Sequence, residues 1–317
     1  MNYCWLLAAL FGVSCAAQAY CPDEDQQVTF QGTLIQKTLP GPPNYESIRE
    51  GDEALTYDYL QLEQPFECGG DNGEVSVSEV QLILPDQDRI AYSDLAPRLG
   101  KEVLVSGKTM FAQSGRHFTP VLLILDDVNV VTSITTPEQK KSALLQWQQF
   151  QQALREKNVA ALKRYFVFPV QGELFDFIPY DENHPMETFT EAVFDDNAGQ
   201  IIAGLQKLAR LDVNPQSLTI NEYRINALSA KERQRRYFPQ DQDGRFYYEE
   251  NGQRHTVDGV CDTVVGGAFE NDTLQISQGT LANRQLPGMS EMCDGASVYI
   301  FKLVEGKLRM TGSFTAG

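Results

Sequence analysis

Ser93-Asp94-Leu95-Ala96-Pro97-Arg98-Leu99-Gly100-Lys101-Glu102-Val103-Leu104-Val105-Ser106-Gly107-Lys108-Thr109-Met110-Phe111 is the stretch that decides the fold of the first half of this chain. Its first eight residues read as a short helix or turn that stops at Gly100. Residues 103–111 then alternate at period two, the rhythm of a strand with one buried face. Gly107 falls inside that strand, where a small barrel must bend sharply. Residues 28–35, with Gly32 among them, alternate in the same way, as do residues 57–62 and 77–84. Residues 121–131 form a fifth, mostly apolar run. Five strands with one short helix between the third and fourth is the order of an OB-type barrel. An all-β, OB-like barrel is therefore expected over residues 20–131.

The rhythm changes after residues 132–136, which read as a linker. Thr136-Pro137-Glu138-Gln139 offers an N-cap, a proline at the first helical position and a glutamine placed for a capping box. Ala143, Trp147, Phe150 and Leu154 follow on one helical face. Asn158 can cap a second helix, and residues 198–210 fit a third. From Leu218 onward strand patterns return, the last two joined at Glu305-Gly306-Lys307. Helices followed by antiparallel strands predict a second, α+β domain over residues 137–317, its helices packed on a curved sheet.

Residues 4–13 form an apolar run too short to span a bilayer, followed by Ala17-Gln18-Ala19. That reads as a signal peptide over residues 1–19, and hence as an exported, periplasmic protein. Lipid anchoring through Cys15 is the other reading, although Gly12 stands where a lipobox wants leucine. Removing 19 of 317 residues leaves four of the six cysteines. Four cysteines allow three connectivities, and only Cys21–Cys68 with Cys261–Cys293 keeps both bridges within domains. No free thiol then remains for a nucleophile or a zinc thiolate site. The net charge of −17 argues against nucleic acid and suits a cationic ligand or partner.

Gly41-Pro42-Pro43-Asn44-Tyr45-Glu46-Ser47-Ile48, with Gly51-Asp52, and Gly115-Arg116-His117-Phe118-Thr119-Pro120 resemble the paired motifs of a domain-of-unknown-function family of exported bacterial proteins. The resemblance covers about residues 26–130 and implies a small β-barrel. That family often carries paired histidines before Thr-Pro, whereas Arg116 here precedes a single His117. Phe150-Gln151-Gln152-Ala153-Leu154, Asn158, Leu162 and Phe166-Val167-Phe168-Pro169-Val170 resemble the nuclear-transport-factor-two-like superfamily. That likeness implies a cone of helices wrapped against a curved sheet. Superfamily members include enzymes, binding modules and scaffolds, so fold alone assigns no chemistry.

Arg116, His117 and Thr119 sit at a turn before the last barrel strand. They read either as a rim subsite for an anion or carbonyl, or as a turn bonding its own backbone. Asn44 and Tyr45 reach the same rim through the motif resemblance. Asp241, Asp243 and Glu250 have the spacing of a calcium loop. Position 1 would be Pro239, however, and an Asp-Gly hairpin turn is the competing reading. The basic run 231–238 reads as a phosphate or acidic-partner site, or as a solvated face of mixed charge. Asp195-Asp196-Asn197 reads as a turn and helix N-cap. No nucleophile elbow, phosphate loop, zinc-protease motif or dinucleotide fingerprint occurs. No catalytic residue and no cofactor are assigned. The expected role is a non-enzymatic binding module for an envelope ligand or partner protein, with no transmembrane helix in the mature chain. One alternative is an envelope-polymer hydrolase using Glu173, Asp176, Asp181 and Glu182. Another is a structural or inhibitor-type interaction protein.

Overall fold

The computed structural model describes residues 21–70, 73–84, 92–172, 178, 189–257, 259–283, 285–286 and 293–316. The leader read in residues 1–19 lies outside these, as do Glu173, Asp176, Asp181 and Glu182. Alternating residues in the first half build β1 (Gln27–Pro40), β2 (Ala54–Gly70), β3 (Gly73–Ile83), β4 (Glu102–Phe111) and β5 (Val121–Thr132). A short helix, α1 (Tyr92–Leu95), falls between β3 and β4, and a single turn of tighter helix follows it. β1 pairs antiparallel with β2 and β4, β2 with β3, and β4 with β5; β3 and β5 pair in parallel. The five pairings form a closed circuit. Leu34, Leu60, Val80, Val105, Leu123 and Leu125 are buried inside it.

Two glycines allow this path. Gly32 pairs with Val103 on one side and Leu62 on the other, where β1 passes from β4 to β2. A Cβ there would lie 2.1 Å from the Gln61 carbonyl oxygen. Gly107 stands at the irregular step in the β4–β5 register, where a Cβ would lie 2.1 Å from the Ile124 oxygen. Contacts that short cannot be relieved by rotating a side chain, because the obstacle is backbone.

The second half begins with α2 (Pro137–Arg155) and α3 (Val159–Lys163). Thr136 accepts from the Gln139 N–H at 3.2 Å while Gln139 accepts from the Thr136 N–H at 2.8 Å, a complete capping box. The Asn158 side chain caps α3 through the Ala161 N–H. β6 (Phe166–Gly172) follows, then α4 (Glu191–Leu205). The strands β7 (Asp212–Asn214), β8 (Thr219–Asn221), β9 (Tyr223–Ile225), β10 (Tyr247–Glu250) and β11 (Gln253–Thr256) are short. β12 (Cys261–Glu270), β13 (Thr273–Ala282), β14 (Ala296–Val304) and β15 (Lys307–Ala316) form consecutive antiparallel pairs. The helices bury Trp147, Phe150, Phe194 and Ile201 against Phe301 and Met310 of this sheet.

The third helix departs from the sequence reading. It starts at Thr190, whose hydroxyl accepts from the Val193 N–H, rather than near residue 198. Asp195, Asp196 and Asn197 lie inside the helix, and no turn or N-cap forms there. Phe194 is buried, seven residues before buried Ile201, and anchors the extra turns on the core face. Asp195 meets Lys163 of α3 at 2.7 Å, so a cation offsets the local run of acids.

The halves share one eleven-stranded, mostly antiparallel sheet, joined where Val131 and Thr132 of β5 pair with Val304 and Leu303 of β14. The stretch read as a linker is docked rather than loose. Ile134 is buried in the second core, and its N–H donates to the Asp272 carbonyl at 2.7 Å. Cys21 bonds to Cys68 and Cys261 to Cys293, closing separations of 47 and 32 residues. Each bridge contributes about 3–4 kcal/mol by restricting the unfolded chain, in the chain-entropy account. No helix among the described residues is long and apolar enough to cross a membrane.

Gly107→Ala tests the closure of the circuit. The expected loss is roughly 3 kcal/mol or more, because strand backbone must move to admit the methyl group. Urea denaturation measures it; an unchanged midpoint would refute the packing argument.

Candidate functional site

Two loops meet on the outer face of β2 and β3, each held by one buried polar side chain. The first spans residues 41–53. Its neck closes through Gly41 N–H to Glu53 O at 2.6 Å and Glu53 N–H to Pro42 O at 2.8 Å. Asp52 fills the interior. One of its oxygens accepts from the Asn44 N–H at 2.9 Å, and the other from Glu46 and Ser47 N–H at 2.8 Å each. Asp52 is buried, yet these donors, Ser47 and then Asn44 foremost, hold its carboxyl below the usual carboxylate range against the opposing effect of burial. Around this anchor Tyr45 takes a left-handed conformation, φ 61°. That region disfavours a bulky residue and points toward a positional requirement.

The second loop spans residues 112–120 and is held by Gln81 of β3, which is only 1% exposed. The Gln81 amide donates to the Arg116 carbonyl at 3.0 Å and accepts from the Phe118 N–H at 2.8 Å. Thr119 is buried beneath. It accepts from the Gln81 N–H at 3.0 Å and donates to the Val121 carbonyl at 2.6 Å. The His117 Nδ1 accepts from the Gln113 N–H at 2.9 Å, and the His117 backbone N–H donates to the Ser114 carbonyl at 3.0 Å, which fixes the turn.

These anchors bring the Arg116 guanidinium near the Tyr45 side chain, close enough for the two to interact electrostatically. Tyr45 foremost, then Tyr57 and Glu53, raise the Arg116 pKa above its ordinary value against the opposing effect of burial. The Phe118 ring packs on Tyr57, centroids 5.3 Å apart. Tyr59 lies buried on the same strand face, its phenol pushed up to about 12 by burial, with Tyr57 and Glu79 adding to the effect. The result is an exposed, permanently charged donor beside two aromatic rings.

Of the five rim residues read from the sequence, Tyr45 and Arg116 lie near each other. His117 and Thr119 hold their loop, and Asn44 serves Asp52 through its backbone N–H. Sequence reasoning gave no role to Asp52, Gln81, Tyr57 or Phe118. Asp52 and Phe118 stood inside the quoted motifs. Gln81 and Tyr57 looked like ordinary members of alternating strands.

The Asp241 loop is a hairpin turn. Its Asp241 side chain accepts from Asp243 N–H at 2.9 Å and Arg245 N–H at 2.8 Å. Glu250 is engaged elsewhere, by Lys231 and by Arg235 at 3.4 Å. Those two members of the basic run are thereby paired with an acid, and Arg235 also lies 4.1 Å over the Tyr248 ring. Among the described residues no group of three or more His, Cys, Asp or Glu is gathered for a metal.

Asp52 sets a pH dependence for the first loop. A lowered folded-state pKa means the loop is fully ordered above the usual carboxylate range and loosens as pH falls through the lowered value. Amide exchange at Asn44, Glu46 and Ser47 should lose protection together on acidification. Asp52→Asn should lower those protection factors at pH 7 by roughly tenfold. Protection that is indifferent to both changes would remove Asp52 from its role.

Residues 79–129 match the model of a family described as a domain of unknown function (DUF4431). The match takes in the end of β3, the short helix, β4, the Arg116 loop and most of β5. The Tyr45 loop lies outside it. No curated protein and no solved structure matches the chain.

Proposed function

We propose that this chain is an exported, disulfide-stapled binding protein that recognises an anionic or carbonyl-bearing envelope ligand at the Tyr45–Arg116 patch. In this reading residues 20–131 are an OB-like barrel. The strand circuit β1-β2-β3-β5-β4 and the helix between β3 and β4 support that assignment. Residues 137–317 are a nuclear-transport-factor-two-like cone, supported by three helices packed on the antiparallel sheet. Export rests on the leader pattern in residues 1–19 and on the use of all four remaining cysteines in bridges.

The observation that carries the binding role is the approach of Arg116 to Tyr45 from two separately anchored loops. A tyrosine held in a disfavoured backbone conformation lies beside an exposed arginine. Tyr57 and Phe118 supply an aromatic surface alongside. Such a patch suits a ligand with an oxyanion or carbonyl beside an apolar face.

Two measurements test this reading. The mature protein should begin at Tyr20 and carry no acyl chain; an acylated Cys15 would replace export as a free protein by lipid anchoring. A soluble cell-wall fragment bearing N-acetyl sugars and a free carboxylate, titrated into the oxidised protein, should shift the NMR signals of Tyr45, Tyr57 and Arg116. Arg116→Ala should weaken its binding by roughly tenfold or more. Turnover of the fragment, or full affinity in the variant, would reject the proposal.

A further inference from the structure

A groove of about 400 Å³ lies at the seam between the two halves. Its floor is the outer face of the strand circuit, where Thr29, Ser106 and Asp127 form a row across β1, β4 and β5. Its walls are Phe168 of β6 and the β14–β15 hairpin, which contributes Lys307 and Arg309.

Charge is distributed unevenly along this seam. Lys302 and Arg309 are direct cross-strand partners and share a face. Lys302 crosses the seam to Glu102 at 3.5 Å and Glu63 at 3.6 Å. Arg309 has no carboxylate within ion-pair distance and no hydrogen bond among the described residues; its neighbours are Tyr165 and a second cation, Arg164. The groove also holds two acids, each hydrogen-bonded away from Arg309. Asp127 accepts from the Val128 N–H at 2.9 Å and from the Asn129 amide at 2.7 Å. Glu305 accepts from the Val130 N–H at 2.8 Å and stands 3.9 Å from Arg98. Thr29 is also buried there, with its hydroxyl unmatched.

A half-buried guanidinium without a counter-charge is unfavourable, and it stays charged at any ordinary pH. Burial draws its pKa below the ordinary value, Tyr165 opposes this, and Arg164 adds to it. The chain has 43 acidic residues against 26 basic ones, so an acid opposite Arg309 would not be scarce. We propose that the seam groove binds a small organic anion. Arg309 takes its carboxylate or phosphate oxygens, and its apolar part lies against Phe168. The forked guanidinium suits either group, and the volume suits a small molecule. This site is separate from the Tyr45–Arg116 patch and does not depend on it.

The test uses the full oxidised protein and three probes of similar size: benzoate, phenyl phosphate and neutral benzyl alcohol. Either anion should shift the Arg309 side-chain Nε–H resonance, and benzyl alcohol should not. The tighter of the two anions names the headgroup as carboxylate or phosphate. Arg309→Gln should weaken anion binding at least tenfold while the melting temperature holds or rises, because it removes an uncompensated charge. Arg116→Ala should leave that binding unchanged. An equal shift with benzyl alcohol, undiminished affinity in Arg309→Gln, or loss of affinity in Arg116→Ala alone would overturn the proposal. Should Arg309→Gln fail to fold, the comparison of benzoate with benzyl alcohol on the unaltered protein decides it.

Discussion

Everything in the first half depends on two backbone positions that tolerate no side chain. Five strands can pair in a circuit only if β1 and β4 turn sharply while keeping their ladders on both sides. At Gly32 and Gly107 the neighbouring carbonyl oxygen occupies the place of a Cβ. Closure then buries the inward residues Leu34, Leu60, Val105 and Leu123 together. It also fixes which residues face outward, since alternate side chains along each strand take opposite sides. The candidate site, the seam and the second half all attach to that outer surface.

On that surface the chain uses two buried polar side chains as internal scaffolds for loops. Asp52 gathers three backbone N–H groups that have no strand partner, and Gln81 imitates a neighbouring strand by offering a donor and an acceptor to residues 116–118. Each burial is tolerated because the group's hydrogen-bonding capacity is used. The consequence is rigidity in loops that would otherwise be mobile at their tips. Tyr45 and Arg116 are thereby presented from fixed backbone, which lowers the ordering cost of any binding event.

What was legible in the sequence was local. Alternation located the five strands, Gly100 ended the short helix, and Thr136 with Gln139 announced α2. The cysteine positions specified both bridges once the halves were separated. What was hidden depends on distant partners. Gln81 has the composition of a solvent-facing strand residue, and only the 112–120 loop folding over it makes it a core group. The start of α4 was misplaced because Asp195-Asp196-Asn197 carries turn chemistry. Burial of Phe194 and the Lys163 ion pair outweigh that local preference. Of the rim residues, Thr119 turns inward beneath Gln81, a placement that spacing alone could not tell from a surface-facing one.

The seam shows how the halves are held together and why a charged groove there matters. The shared sheet crosses it through only two paired positions, Val131–Val304 and Thr132–Leu303. Around them lie a small apolar cluster of Leu104, Val131 and Val304, and the ion pairs of Lys302. Partly exposed ion pairs are weak and screened by salt, so the apolar cluster and the docked Ile134 carry most of the attachment. Arg309 opposes it, because its charge is half-buried at the seam with no acid in ion-pair reach among the described residues. An anion bound there would convert that unfavourable term into a favourable one, and would touch both halves at once. By mass action such a ligand stabilises the docked arrangement in proportion to its occupancy. With such a ligand bound, its occupancy and the fit of the two halves would be thermodynamically linked through a single guanidinium.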